Sequence, residues 1–458
     1  MSRGFESHTL RRIGCRGANR EASIPERNRV TQATKHARRG RRTVARHGEL
    51  RSPSPVGFLM KIIGIVAAVV LVSGAGVAAY AATDVVGSFQ SQAVDLEGQG
   101  TIPPDIGAIE GGVDLLLVGT DECEPEYAYI FGDRCTGPDA EGQLNDVNML
   151  VHISDNPRRV TVVSFPRDLM VPIPSCTRED GSVSEATRKT QLNEAWGMGG
   201  LSCVAKTVKE LSGENIPFAA KVSFGNVINI TGAIGGVDVC IGNGGIKDVY
   251  TGIDWPAGPR TIEGLEALQF LRTRHGLTGG SDLSRISNQQ QYMSSLARKL
   301  VSDEVLSNPA TLYKLATTAS ENITPSKSLA NPMTLVQIAL AVKNVPFEDI
   351  VFVQYPVLED PADANRVVPD YDSAAQLWAA LAANEQLDVT QQSQGVIVDP
   401  NATVDPNATV DPNATVDPNA TVDPNATPTD GTAVLPDNIT GQNAAQQTCS
   451  AGNVRANG

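Results

Sequence analysis

An apolar run from Ile62 to Ala82, with no charged side chain in it, limits what this chain can be. Roughly 20 such residues cross a bilayer as a helix, so the run reads as a transmembrane helix. A cleaved signal peptide would have a shorter apolar region, about 7–15 residues long. Charge divides at the same boundary. Residues 1–61 carry 15 Lys+Arg against 4 Asp+Glu, yet the whole chain has a net charge of −14. The positive-inside rule keeps the basic, disordered tail 1–61 cytoplasmic and sends everything after the anchor outside. The expected location is the cell membrane, as a single-pass type II protein with its folded part extracytoplasmic. The basic residues sit in a tail and not on a folded surface, so nucleic acid is not an expected partner.

Cysteine usage agrees with an oxidising exterior. Cys15 falls on the cytoplasmic side, leaving six outside: Cys123, Cys135, Cys176, Cys203, Cys240 and Cys449. The sequence neighbours Cys123–Cys135 and Cys176–Cys203 are the expected disulfides, with Cys240 and Cys449 paired or free. No C-x-x-C spacing occurs, which argues against a Cys-only zinc site. Residues 83–112 read as a polar stalk. From Val398 to Thr427 the hexapeptide V-D-P-N-A-T repeats five times. A unit that short, with one Pro and only Val as a large apolar residue, buries no core. The expectation is a disordered C-terminal tail over 391–458.

The folded material then lies in 113–390. Val113–Val118, Val147–Ile153 and Val160–Phe165 are aliphatic runs of the buried-strand kind, as is Val237–Ile241. Leu201, Val204, Ala205, Val208 and Leu211 follow helical spacing up to Gly213, a natural C-cap. Helices are expected near Glu263–Leu271 and Asp282–Val301, and interleaved strands and helices give an α/β or α+β sandwich. A helical annex, 303–390, adds helices at Thr334–Val342 and Ala374–Ala382 and a strand at Ile350–Tyr355.

Charges stand where the core pattern predicts none. Asp121 directly follows one strand, Asp146 precedes the next, and Arg167 and Asp168 leave a third through Pro166. Each alone reads as an ordinary charged strand cap, but ligands in open sheets gather at strand ends. Arg272 and Arg274 point the same way only in extended chain. Ser281 is an expected N-cap, and Asp282, Arg285 and Gln289 then share a helix face that continues as Met293, Leu296 and Leu300. A stripe that starts polar and becomes apolar should dip its polar end into a pocket. Guanidinium forks match phosphate oxygens, and paired Asp without His suits Mg2+, with Mn2+ as the substitute. Four arginines with such a cation fit a pyrophosphate and phosphoryl transfer. No nucleophile elbow, Walker loop or H-E-x-x-H motif competes with that reading.

These motifs, in order, resemble the LytR–CpsA–Psr (LCP) proteins of the Gram-positive, and here actinobacterial, cell envelope. The resemblance runs through D-L-L-L-V-G-T-D, N-D-V-N-M-L-V-H-I, V-V-S-F-P-R-D, L-N-E-A-W-G-M-G-G, E-G-L-E-A-L-Q-F-L-R-T-R and S-D-L-S-R-I-S-N-Q-Q-Q. It implies a catalytic domain over 113–302 with a central mixed β-sheet packed between helices. It also implies an Mg2+-dependent phosphotransferase that moves an anionic glycopolymer from undecaprenyl pyrophosphate to the muramic acid 6-hydroxyl of peptidoglycan. By motif match Asp121 and Asp146 hold the metal, and Arg167, Arg272, Arg274 and Arg285 grip the pyrophosphate. Asp282 and Gln289 orient these groups or the phosphate. An apolar tunnel for the polyprenyl chain would use Val222, Phe224, Val227 and Ile228, positions that equally suit ordinary core. Two positions depart from the family pattern. G-T-D-E-C stands where many members have G-S-D-S-R, and Asn288 stands where many have Arg, which predicts a looser or reshaped phosphate grip.

Two other functions use the same features. A polyprenyl-pyrophosphate pyrophosphatase would employ the same residues with water as acceptor. A non-catalytic lipid-binding or tethering protein would instead depend on the repeats. Loops such as Asp180–Arg188 and Asn243–Ala257 are where sugar specificity is expected.

Overall fold

The computed structural model describes residues 87, 89–98, 112–131, 133–137, 142–301, 309–399 and 432–454. The basic tail, the apolar run 62–82 and most of the repeats lie outside the described residues. Among the described residues no helix is long and apolar enough to cross a membrane. The described residues belong to one compact unit.

The core strands are β1 (Val113–Thr120), β2 (Asn145–Ile153), β3 (Val160–Phe165), β4 (Met170–Ile173), β5 (Thr187–Gln191) and β6 (Phe218–Ser223). They are followed by β7 (Val237–Asp248), β8 (Ile253–Ile262), β9 (Thr324–Pro325), β10 (Ile350–Gln354), β11 (Val357–Asp360) and β12 (Asp363–Pro369). Five short strands complete the set: β13 (Gln386–Asp388), β14 (Val396–Val398), β15 (Thr432–Val434), β16 (Gly441–Asn443) and β17 (Thr448–Ser450). The longer helices are α1 (Ala195–Ser212), α2 (Phe224–Ala233), α3 (Gly264–Arg272), α4 (Asp282–Val301), α5 (Pro309–Asn322), α6 (Pro332–Val342) and α7 (Tyr371–Ala382).

Seven strands form a mixed sheet in the order β16-β10-β3-β2-β1-β6-β9, and four form a second sheet, β14-β17-β7-β8. Alternation along β1 and β2 splits the main sheet into two apolar faces. Leu116, Leu150 and Phe165 pack with Leu201, Val204 and Val208 of α1 and with Leu377 of α7. Met149, Val162 and Phe352 face the other way, toward Met293 of α4 and Leu335 of α6. Met293 also touches the cluster of the second sheet, Val239, Trp255 and Phe270, so α4 lies between the two sheets.

The expected α/β architecture is present, and α1 ends where Gly213 takes φ 78°, a left-handed C-cap. The strand expected in the annex forms as β10, inside the main sheet between β3 and β16. Two organisational expectations are corrected. Part of the stalk is packed: Phe89 and Leu96 are buried, and Glu97 accepts from the Thr177 N–H at 2.9 Å. Most of all, 391–458 is not a disordered tail throughout. β14 pairs with β17, β16 closes one edge of the main sheet, and β17 lies beside β7. Each is three residues long, apolar in β14 (V-I-V) and mostly polar in β16 (G-Q-N) and β17 (T-C-S), too short for any periodicity to mark it. Their order comes from tertiary partners: the Gln291 amide donates to the Thr448 carbonyl at 2.6 Å, and the buried Ser450 hydroxyl donates to Asn288 at 2.5 Å.

Both expected disulfides form, Cys123–Cys135 and Cys176–Cys203, and Cys240 pairs with Cys449. The third bond pins the segment after the repeats to β7.

Candidate active site

The helix α3 stops at Arg272 because Thr273 turns extended (φ −63°, ψ 131°), and that turn sets the site. It brings Arg272 and Arg274 to the same cavity, of about 450 Å³, as the extended-chain argument requires. Asp146, at the start of β2, Arg167, just past β3, and Arg285, one turn into α4, line it too. Five residues far apart in sequence therefore converge.

Charge pairing holds the arrangement. Arg167 donates through Nη1 to Asp146 Oδ1 at 3.0 Å. Arg285, almost fully buried, meets Asp282 at 2.7 Å and donates to the Asp146 backbone carbonyl at 3.0 Å. Asp282 is also 3.5 Å from Arg167. It faces both guanidinium groups with neither oxygen in a well-angled hydrogen bond. Burial alone would lower the Arg167 pKa, but the charges of Asp146 and Asp282 outweigh it and hold the group above its usual range. Arg272 lies 5.5 Å over the Phe224 ring, and Arg274 donates through Nε to His275 Nε2 at 3.0 Å. Ser281 caps α4 as expected, accepting from the Ser284 N–H.

A second cavity, about 270 Å³ and almost wholly apolar, opens between the main sheet and helices α2 and α4. Val222, Phe224 and Val227 line it as expected, with Tyr292 and Met293 on the α4 side. Ile228 does not: it turns toward Gly264 on α3, and Ile230 takes the wall position one helical turn from Val227. Gly119 is required here, since a Cβ would come within 2.8 Å of the Val147 side chain. The two cavities meet residue by residue. Val147 and Leu271 line the apolar one, and their neighbours Asp146 and Arg272 line the arginine one.

Two expected site residues stand apart. Gln289 lines the apolar cavity, not the arginine one, and donates to the Leu271 carbonyl at 3.0 Å. Asp121 is outside the arginine cavity's lining, and its carboxylate accepts from the Leu144 N–H at 2.8 Å. That bond keeps Asp121 beside the start of β2, two residues from Asp146. Oxygen donors of this kind fit a hard divalent cation that takes few protein ligands and completes its shell with water and phosphate. Asn288 is outside the arginine cavity's lining: it is fully buried and donates to the Phe270 carbonyl at 2.7 Å.

The sequence reading missed Asp248 and Tyr250. Asp248 is 1% exposed and accepts from the N–H groups of Arg274 (3.2 Å) and Gly276 (3.1 Å), so it fixes the turn that aims Arg274. Both lie in the segment Asn243–Ala257 that reads as a specificity loop, but it is the β7–β8 hairpin end. A lone Asp at a strand end beside Val249 and Tyr250 carries no periodic signal.

The profile of the LytR_cpsA_psr family matches residues 76–383. The chain belongs to that family. The cell wall biosynthesis protein LcpA of Corynebacterium glutamicum is 30% identical over 317 residues, covering 63% of this chain and 58% of that protein. A polyisoprenyl-teichoic acid–peptidoglycan teichoic acid transferase, TagU of Enterococcus faecalis, is 25% identical over 208 residues, covering 45% of this chain and 63% of that protein. The chain thus spans under two thirds of the length of these relatives. A LytR-Csp2A-Psr enzyme from Actinomyces oris is 21% identical with a TM-score of 0.46, covering 63% of this chain and 95% of that one. In this LCP protein four arginines and Asp146 line one cavity.

Proposed function

We propose that this protein is a membrane-anchored phosphotransferase. It takes an anionic glycopolymer from an undecaprenyl-pyrophosphate carrier and joins it to the muramic acid 6-hydroxyl of peptidoglycan through a phosphodiester. One observation carries the reading: an apolar cavity that ends, at adjacent residues of β2 and α3, on a cavity of four arginines. A polyprenyl chain suits the first, and a pyrophosphate diester bearing about two negative charges suits the second. The anchor at 62–82 would hold the domain at the outer face of the membrane, where such a carrier resides.

In the reaction the acceptor hydroxyl attacks the phosphorus that carries the glycan, and polyprenyl phosphate leaves with the bonding electron pair. Phosphoryl transfer needs positioning and charge neutralisation more than covalent chemistry. Arg272 and Arg274 neutralise the phosphate oxygens, while Arg167 and Arg285, tied to Asp146 and Asp282, keep fixed directions without reorganising. Asp121 and Asp146 would hold Mg2+, which when bound supplies further neutralisation of the pyrophosphate.

The test uses the full chain in detergent with a polyprenyl-pyrophosphoryl oligosaccharide, Mg2+ and a peptidoglycan oligomer. Acceptor-linked glycan is the expected product. Release of polyprenyl phosphate at a rate indifferent to the acceptor would make the protein a pyrophosphatase instead.

A further inference from the structure

A third cavity, about 790 Å³ and polar, continues from the arginine cavity and shares Arg167, Arg274 and His275 with it. It shares no lining residue with the apolar cavity, so the three lie in series: apolar, arginine, polar. The large cavity beside Trp196 shares nothing with the arginine cavity and is outside this series.

Its far wall is the β11–β12 hairpin, docked on the turn after β3. Leu169 bridges to Val367, and Arg366 donates through Nη1 to Asp168 Oδ1 at 2.9 Å. With its side-chain amide turned over, Gln191 would accept through its oxygen from the same guanidinium, at 2.5 Å from Nε. Asp168 thus faces the cavity with its carboxylate held from behind. Burial raises its pKa, an effect only partly offset by the charges of Arg167 and Arg366.

Displacement at phosphorus places the attacking oxygen roughly in line with the leaving one. With the lipid in the apolar cavity, polyprenyl phosphate departs toward that side, and the nucleophile must enter from the opposite one. We propose that the polar cavity is the subsite of the peptidoglycan acceptor, and that Asp168 takes the proton of its attacking hydroxyl. The new P–O bond forms as the P–O bond to polyprenyl phosphate breaks, and the hydroxyl proton passes to an Asp168 carboxylate oxygen. Arg366 is a positioning residue that fixes Asp168 and the hairpin wall. The proposal rests on the transferase reading above.

The experiment measures kcat and the separate KM values for donor and acceptor in the full chain, using a muramic-acid-containing glycan oligomer as acceptor. Asp168→Asn should lower kcat by about 10²–10³-fold at unchanged donor KM, the range of a lost general base. Asp168→Glu should recover part of that rate. Arg366→Gln should raise acceptor KM about tenfold and leave donor KM unchanged, the size of one lost charge-assisted contact. Parallel rises in donor KM, or full transfer in Asp168→Asn, would overturn the acceptor subsite while leaving the transferase standing. A wild-type chain that makes no acceptor-linked product would overturn both.

Discussion

Arg167 and Asp146 meet at 3.0 Å, joining the end of β3 to the start of β2 inside the arginine cavity. Neighbouring antiparallel strands thus deliver opposite charges to one spot, and each charge limits the motion of the other. A phosphate arriving there would find a guanidinium already oriented.

Among the described residues Arg274 has no carboxylate partner of that kind and reaches His275 instead. Its guanidinium can turn to a phosphate without breaking an ion pair. Arg274→Ala should lower turnover by about 10²–10³-fold, the range for loss of one preorganised donor. Steady-state kinetics with a lipid-linked donor would measure it, and an unchanged rate would remove Arg274 from the site.

Arg285 behaves differently, because it is buried against Asp282. Truncation leaves that carboxylate without its partner. Arg285→Ala should cost about 3–5 kcal/mol of stability as well as activity. Denaturant unfolding is the check: a loss below about 1 kcal/mol would mean the pair behaves as an exposed one.

Cys240 and Cys449 close a covalent loop around the repeats. Cys449→Ser should lower stability by about 2–5 kcal/mol. The C-terminal strand should also become more sensitive to proteolysis, since it is only three residues long. An unchanged melting temperature and digestion pattern would show that the hydrogen bonds to Gln291 and Asn288 suffice.

At the opposite end of β1, Asp114 and His152 are cross-strand partners 2.9 Å apart, with Glu214 close by. Burial and then the charge of Asp114 raise the Glu214 pKa. A carboxyl raised on folding keeps its proton longer in the native state, so stability falls as pH rises from its ordinary value of 4.5 through the folded value. Glu214→Gln should therefore raise the melting temperature at pH 7 and have no effect well below pH 4.5. A variant that melts lower at pH 7 would contradict this sign.

The site was largely legible because charge interrupts apolar runs at Asp146 and Arg167, and because the R-T-R spacing and the Asp282–Arg285–Gln289 stripe give directions. Gln289 sits at the apolar cavity because the stripe changes character before it, not after. Asp248 escaped notice because its role is to accept backbone N–H groups, which any polar residue near a turn can do. The strands after the repeats escaped for a related reason. Three-residue segments take their structure from Asn288, Gln291 and β7, and none of those contacts is local in sequence.

The chemical form of the product tests the account most directly. Mass spectrometry of the acceptor-linked glycan and of the released lipid would identify the bond that breaks. The expected product keeps one phosphate between glycan and acceptor, with polyprenyl monophosphate released. A phosphate-free linkage with polyprenyl pyrophosphate released would mean that the glycan, not the phosphoryl group, is transferred. The four arginines would then hold a leaving group instead of the reacting centre.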